Sequence, residues 1–425
     1  MKSEQAEDVE NPDQVAGDVI GNTAYSERFV LKILLKLANL DTLKEEIKEK
    51  SFEDDICILW DMTTEKDVVL FLQKHEVLKL INFALPVIEV SRIIEIIIGI
   101  IGNMCCQKEV VKVLMKMDGL LATLIEYINT DDSLVLVQLL RLVSGCLYLA
   151  NDEEIEIWMN LFASVEYSSA LYFILLNSSH KDLLITALEN LNTVCSNCNT
   201  EKFRTKFYTH FVLQHAIDSL TAAFTEITVK RKATCSKDKL ERVQIISLQI
   251  VLNFVGFENS YEMYEGSIEN VITLINVVLK YYEEKLVVNK EIDTDLIDIL
   301  SSTITIVDVL KITDSPEKYF EPTYNIWNAT SAILQTDKNG SSFEENDREE
   351  LKEFIAKVRK PLAVLMCYYL GNVSEDNFYE VIEIVDTVYE EILTWVTNEP
   401  LATNTSKRVT KYRSGKKKKF NVVLE

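Results

Sequence analysis

Four residues of this chain, Cys195, Cys198, His210 and His215, lie at spacings that could hold a metal ion. The pattern Cys-x2-Cys-x11-His-x4-His is close to that of a zinc finger, in which thiolates and imidazoles surround the metal tetrahedrally. Three features argue against that use. Cys195 ends an apolar run with helical spacing rather than sitting in a hairpin, the residues between the pairs lack the finger's apolar positions, and the pattern occurs once. Cys195-Ser-Asn-Cys198 is also a poor redox motif. A reactive pair of this kind opens a helix, whose positive end lowers the thiol pKa, whereas this pair closes one. Cys105 and Cys106 are adjacent and read as core thiols. No GxSxG, Walker A, GxGxxG or HExxH pattern occurs. The carboxylate groups Glu53-Asp54-Asp55, Asp131-Asp132 and Asp152-Glu153-Glu154 suit helix caps and solvated faces better than acid–base pairs. The expectation is no catalytic residue, no cofactor, no metal and no enzyme.

The elements that would position any site are helices. Ile93–Cys106 reads IIEIIIGIIGNMCC, too short for a membrane span and apolar on almost every side, so it predicts a helix buried on several faces. Leu139–Leu149 and Leu184–Cys195 echo it, each flanked by shorter amphipathic helices. One long buried helix plus two shorter ones, recurring along the chain, predicts an all-α fold, an armadillo/HEAT-like right-handed α-solenoid. Asp131, Asp132 or Ser133 can cap the second of these helices. Only 11 Gly and 6 Pro occur in 425 residues, which argues against the many tight turns of a β-rich protein. The expected organisation is an acidic, disordered stretch over 1–22, one helical repeat domain over 23–400 and a basic, disordered tail over 401–425. Trp60 and Leu59 are expected to plug the N-terminal end of the array, and Pro361 to interrupt a late helix.

Asn103, Asn192 and Asn253 occupy comparable places on the buried helices. In peptide-binding armadillo arrays such amides line the concave groove and grip an extended backbone with both a donor and an acceptor. Those grooves also carry a tryptophan one turn earlier, where this chain has Gly99, Leu188 and Gln249. The three asparagines are candidate groove residues, and capture of basic localisation signals is not expected of them.

The net charge is −23, and Lys407–Glu425 carries eight basic residues against one glutamate, so the rest of the chain is at about −30. So acidic a body repels phosphate backbones and is not expected to bind nucleic acid directly. The basic residues Lys407, Arg408, Lys411, Arg413, Lys416, Lys417, Lys418 and Lys419 are spaced like a bipartite nuclear-localisation signal, which an import receptor reads in extended form. The N-terminus MKSEQAEDVENPD has no apolar core of a secretory signal, and no apolar run is long enough to cross a membrane. No membrane partner is expected.

Several segments together resemble one known family. They are Gly17-Asp18-Val19-Ile20-Gly21-Asn22-Thr23-Ala24-Tyr25-Ser26, Asp55-Ile56-Cys57-Ile58-Leu59-Trp60-Asp61-Met62, Asp67-Val68 and Phe71-Leu72-Gln73. Arg92, Glu95-Ile96 and Gly99-Ile100-Ile101-Gly102-Asn103-Met104 follow, with Arg141-Leu142, Trp158 and Asp182-Leu183-Leu184 less closely. This set resembles the serum amyloid A-like 1, or synoviocyte proliferation-associated, protein family. The resemblance implies an armadillo-type, non-enzymatic protein that promotes cell proliferation and resides in the nucleus, and also in the cytoplasm. It brings no catalytic residue, and the basic tail is unlike the family's C-terminus. The reading is an interaction scaffold for a protein partner of unknown identity. The alternative is a nuclear transport or cargo adaptor of the same architecture.

Overall fold

A run that is apolar on nearly every side cannot face water, so the stretch around Ile93–Ile101 has to be enclosed. In the computed structural model it is the helix Ser91–Met104, with every residue from Ile93 to Ile101 buried. The structure describes residues 18–198, 200–313, 316–338 and 345–423, and the side chains of all of these except 316–317, 334–338, 345–348 and 416–423. The acidic residues 1–17 and the side chains of Lys416–Lys419 thus lie outside the described residues. The two echoes are also helices, Ser133–Leu149 and Lys181–Cys198. Asp132 caps the first of them, accepting from the N–H groups of Leu134 and Val135 at 2.9 and 3.1 Å. The next helix, Asp152–Ser164, opens on a reciprocal capping box between Asn151 and Glu154. Among the described residues there is no strand.

Contacts divide the chain into two compact units, Met1–Tyr167 and Ser168–Glu425. In the first, Lys50–Met62 packs on Ser91–Met104, which packs on Ser133–Leu149. In the second, Lys181–Cys198, Lys237–Phe254, Asp295–Val309, Glu345–Asn372 and Glu399–Val423 stack each on the next. A parallel row behind them runs Ala216–Thr225, Ile268–Val287, Pro316–Lys338. Each helix meets chiefly its neighbours in the row, which is how solenoid cores are built. The fold class is all-α with solenoid-type stacking, as the sequence predicts.

Three local expectations are corrected. Residues 18–22 are ordered: Ile20 is buried, and Asp18 accepts from the Ser26 hydroxyl and the Arg28 N–H, which hold its carboxyl below the usual range. Gly21 makes the turn there at φ +54°, a conformation that L side chains avoid, with Asp67 against it. Second, Pro361 does not interrupt its helix, which runs unbroken over Glu345–Asn372. The proline is only half-buried, so water can reach the carbonyl it leaves without a donor. Third, the expected basic tail is the helix Glu399–Val423. Its Thr405, Val409 and Tyr412 are buried, a helical stripe set among charged residues. Trp60, expected with Leu59 to plug the N-terminal end of the array, stands on Lys50–Met62, the helix that opens the row of the first unit. It lies against Gly99 of the next helix in the row.

A buried guanidinium ties together the later helices of the second unit. Arg359 lies between Trp327 and Trp395, at 4.3 and 5.9 Å from their rings. It donates to Thr330 Oγ1 at 3.0 Å, to Glu391 Oε1 at 2.6 Å and to the Ser331 hydroxyl.

Candidate functional site on the inner helices

A helix in the middle of a row is covered on both flanks and behind, so its remaining face is the one open to a partner. In the first unit that face carries Asn103. Its Nδ2 donates to the Thr63 hydroxyl at 3.0 Å and to the Trp60 carbonyl at 3.3 Å, both on or next to the preceding helix of the row. Trp60 covers Gly99, one turn before Asn103. A Cβ added there would lie 2.3 Å from the indole. An aromatic ring therefore does occupy the position one turn before this asparagine, but the neighbouring helix supplies it. Glycine at position 99 was the available signal, since only a residue without a side chain admits the ring. Close by, Glu95 is buried against Arg92, which donates to it at 2.7 Å. On the next helix Arg141 and Tyr148 are exposed, and a Cβ added to Gly145 would meet nothing within 4 Å.

Asn192 and Asn253 lie in the second unit, on helices that pack directly on each other. Both are half-buried. Asn253 donates to the Gln249 carbonyl, one turn back, at 2.8 Å. Farther along the same row are amides that the sequence reading missed. Asn372 donates to the Tyr368 carbonyl at 2.8 Å, and Asn404 donates to the Gly371 carbonyl at 3.1 Å. Tyr368 stands one turn before Asn372, the aromatic–amide spacing looked for at Asn103, Asn192 and Asn253. Burial and the nearby Asp308 carboxylate push its phenol up to about 12. The i, i+4 Tyr–Asn pair was visible in the sequence, but it belongs to a helix that Pro361 was expected to break.

The four residues of the metal-like spacing lie on or beside three different helices. Cys195 and Cys198 are both buried on the helix Lys181–Cys198, and burial pushes both thiols up, Cys198 to about 12. His210 lies in the last turn of the helix Glu201–Phe211, and His215 precedes the helix Ala216–Thr225 with its ring perpendicular to that of Tyr172. Among the described residues no three His, Cys, Asp or Glu groups converge on a point that could hold a metal. No single described helix is long and apolar enough to cross a membrane.

The described basic residues of the C-terminal helix are largely engaged with the body. Arg408 donates to the Leu370 and Val373 carbonyls, each at 2.8 Å, and lies over the Phe378 ring. Arg413 donates to the Asp386 carboxylate at 2.8 Å, to Glu390 at 2.6 Å and to the Asp386 carbonyl at 3.1 Å. Lys411 pairs with Glu375 at 2.9 Å, and Lys407 is exposed. The Glu375 carboxyl is held below its usual range by the Lys411 bond.

Stacked helices in rows, with amides along them, define an all-α fold of the solenoid type. Comparison with known proteins then places the chain more narrowly. No family model matches it. It is 30% identical over 184 residues to Protein SAAL1 of Homo sapiens, covering 40% of this chain and 38% of that protein. It is 29% identical over 184 residues to Protein saal1 of Danio rerio, covering 41% of this chain and 39% of that protein. Protein SAAL1 of Mus musculus is 28% identical over 183 residues. The chain is thus similar to the serum amyloid A-like 1 proteins over about 184 residues, and it spans about two fifths of the length of the curated relatives it matches. An engineered protein of known crystal structure aligns with 90% of this chain and 99% of its own at 14% identity, with a TM-score of 0.39.

Proposed function

We propose that the protein is a non-enzymatic interaction scaffold, and that the open face of the inner helices in its second unit holds an extended segment of a protein partner. The observation that carries this reading is the set of amides on that row. Asn253, Asn372 and Asn404 each spend one N–H on a backbone carbonyl, and a carboxamide has a second N–H and an oxygen to offer an extended backbone. The Tyr368 ring one turn before Asn372 adds a flat surface for a side chain of the partner. Asn103 is a weaker participant, because its Nδ2 already makes two hydrogen bonds to the preceding helix, where each of the other three makes one. The excess of carboxylates in the body favours a partner segment of basic character.

We also propose, as the resemblance to the serum amyloid A-like 1 family implies, that the scaffold acts in the nucleus and promotes proliferation, with the basic residues from Lys407 to Lys419 as the import signal. Proximity labelling in cells tests the scaffold reading, comparing the intact protein with an Asn253→Ala, Asn372→Ala, Asn404→Ala variant of unchanged melting temperature. A shared loss of the strongest labelled partners is expected, and an unchanged partner set would rule out the amide face. Deleting Lys407–Lys419 is expected to abolish nuclear accumulation, and full accumulation without it would remove the import reading.

A further inference from the structure

The same basic residues cannot be at once docked on the body and stretched along a receptor. An extended chain advances about 3.3 Å per residue and a helix 1.5 Å, so the thirteen residues Lys407–Lys419 span roughly 40 Å when read as a peptide and about half that in the helix. In the helix the two arginines are already occupied. The last carbonyls of a helix have no donor within it and carry its negative end, which is where a cation is most favourable. Arg408 fills that role for Glu345–Asn372, through the Leu370 and Val373 carbonyls. Arg413 does so just past Glu375–Val385, through the Asp386 carbonyl, and is also held by the Asp386 and Glu390 carboxylates. Between them the buried Val409 and Tyr412 and, one turn earlier, Thr405, which donates to the Cys367 carbonyl at 3.0 Å, seat the helix on its neighbour.

We propose that the basic segment is latched: Arg408 and Arg413 hold it as a helix on the body, and a receptor that reads it in extended form can take it only after that helix undocks. This rests on the reading of Lys407–Lys419 as an import signal. The latch makes presentation of the signal conditional. Any event that neutralises Asp386 and Glu390, or occupies the surface under Val409 and Tyr412, raises the fraction of molecules whose signal is readable. Apparent affinity for a receptor scales with that fraction.

The test compares binding of a purified import receptor to a synthetic peptide of residues 405–423, to the full chain, and to full chains carrying Asp386→Asn with Glu390→Gln, or Glu375→Gln. These changes leave every basic residue in place and remove only exposed or half-exposed carboxylates. The peptide is expected to bind at least about tenfold tighter than the full chain, and the double variant about three- to tenfold tighter than the unaltered protein. A full chain that binds as tightly as the peptide overturns the latch. If the peptide itself does not bind, the import reading falls. The latch is then decided by tryptic cleavage after Arg408 and Arg413, which is expected to be slow in the native chain and several-fold faster in the double variant. Equal cleavage rates in the two chains overturn it.

Discussion

Replacing glycine by alanine at positions 99 and 145 makes the same chemical change twice, with opposite expected signs. Both glycines lie within helices of the first unit, so each alanine gains about 0.5–1 kcal/mol from lower backbone entropy in the unfolded chain. At Gly145 nothing opposes that gain, since the new methyl group meets no atom within 4 Å. At Gly99 the methyl carbon would stand 2.3 and 2.4 Å from two indole carbons of Trp60. Ordinary carbon contacts are about 3.5–4.0 Å, so the ring has to retreat by more than about 1 Å. It cannot retreat freely, because the Trp60 carbonyl and the adjoining Thr63 hydroxyl accept from Asn103. Overpacking of this kind costs about 1–3 kcal/mol, and a disturbed hydrogen bond about 1 kcal/mol more. The net expectation is a loss of about 1–3 kcal/mol for Gly99→Ala and a gain of about 0.5–1 kcal/mol for Gly145→Ala. Urea unfolding followed by circular dichroism measures both, and where the units melt separately only the transition of the first should move. The reasoning is refuted if the two variants shift in the same direction, or if Gly99→Ala stays as stable as the unaltered chain.

Asn103→Ala should cost about 1–2 kcal/mol, because it strips hydrogen bonds between helices, whereas Asn253→Ala loses only a bond within its own helix and should change the melting temperature little. Glu226 is held below its ordinary pKa by bonds from Arg231 and Lys230, so its contribution to stability is present above the ordinary carboxylate range and is lost as pH falls through the lowered value. Glu226→Gln should therefore be less stable than the parent near neutrality, with the gap closing as the pH falls below the ordinary carboxylate range in a pH series of thermal melts. A thiol reagent at mildly alkaline pH should label exposed Cys106 first and leave Cys105, Cys146, Cys195, Cys198 and Cys367 untouched until denaturant is added. Those five are buried, with Cys105 pushed up by its bond with Cys146 and by burial, and Cys367 raised to about 12 by burial.

The buried helices were legible because their signal is local. An apolar run of fourteen residues with a cap before its echo can form little else. What escaped depends on which helix meets which. The aromatic partner of Asn103 was sought four residues back on the same helix, where the sequence has glycine, but packing brings it from Trp60 on the helix before. At the C-terminus, abundant lysine reads as solvated chain, and the stripe Thr405, Val409, Tyr412 is too sparse to outweigh that composition until a surface exists to receive it. Pro361 marks a different limit. A mid-helix proline ends a helix only where the carbonyl it leaves without a donor cannot find another partner, and that depends on exposure rather than on residue order. The asparagine candidates were placed by analogy of position. The Tyr368–Asn372 pair had the better local spacing but lay beyond the expected break.

The guanidinium of Arg359 between two indoles has an optical consequence. Trp327 and Trp395 belong to the second unit, whereas Trp60 and Trp158 belong to the first. The four emitters of the chain are thus sorted two and two. A cation held against an indole alters its emission, so the second pair reports the integrity of one charge cluster, whereas in the first pair Trp60 reports its seat against Gly99 and Trp158 its stack on Phe162. With either pair replaced by phenylalanine, the fluorescence of the other follows the melting of a single unit.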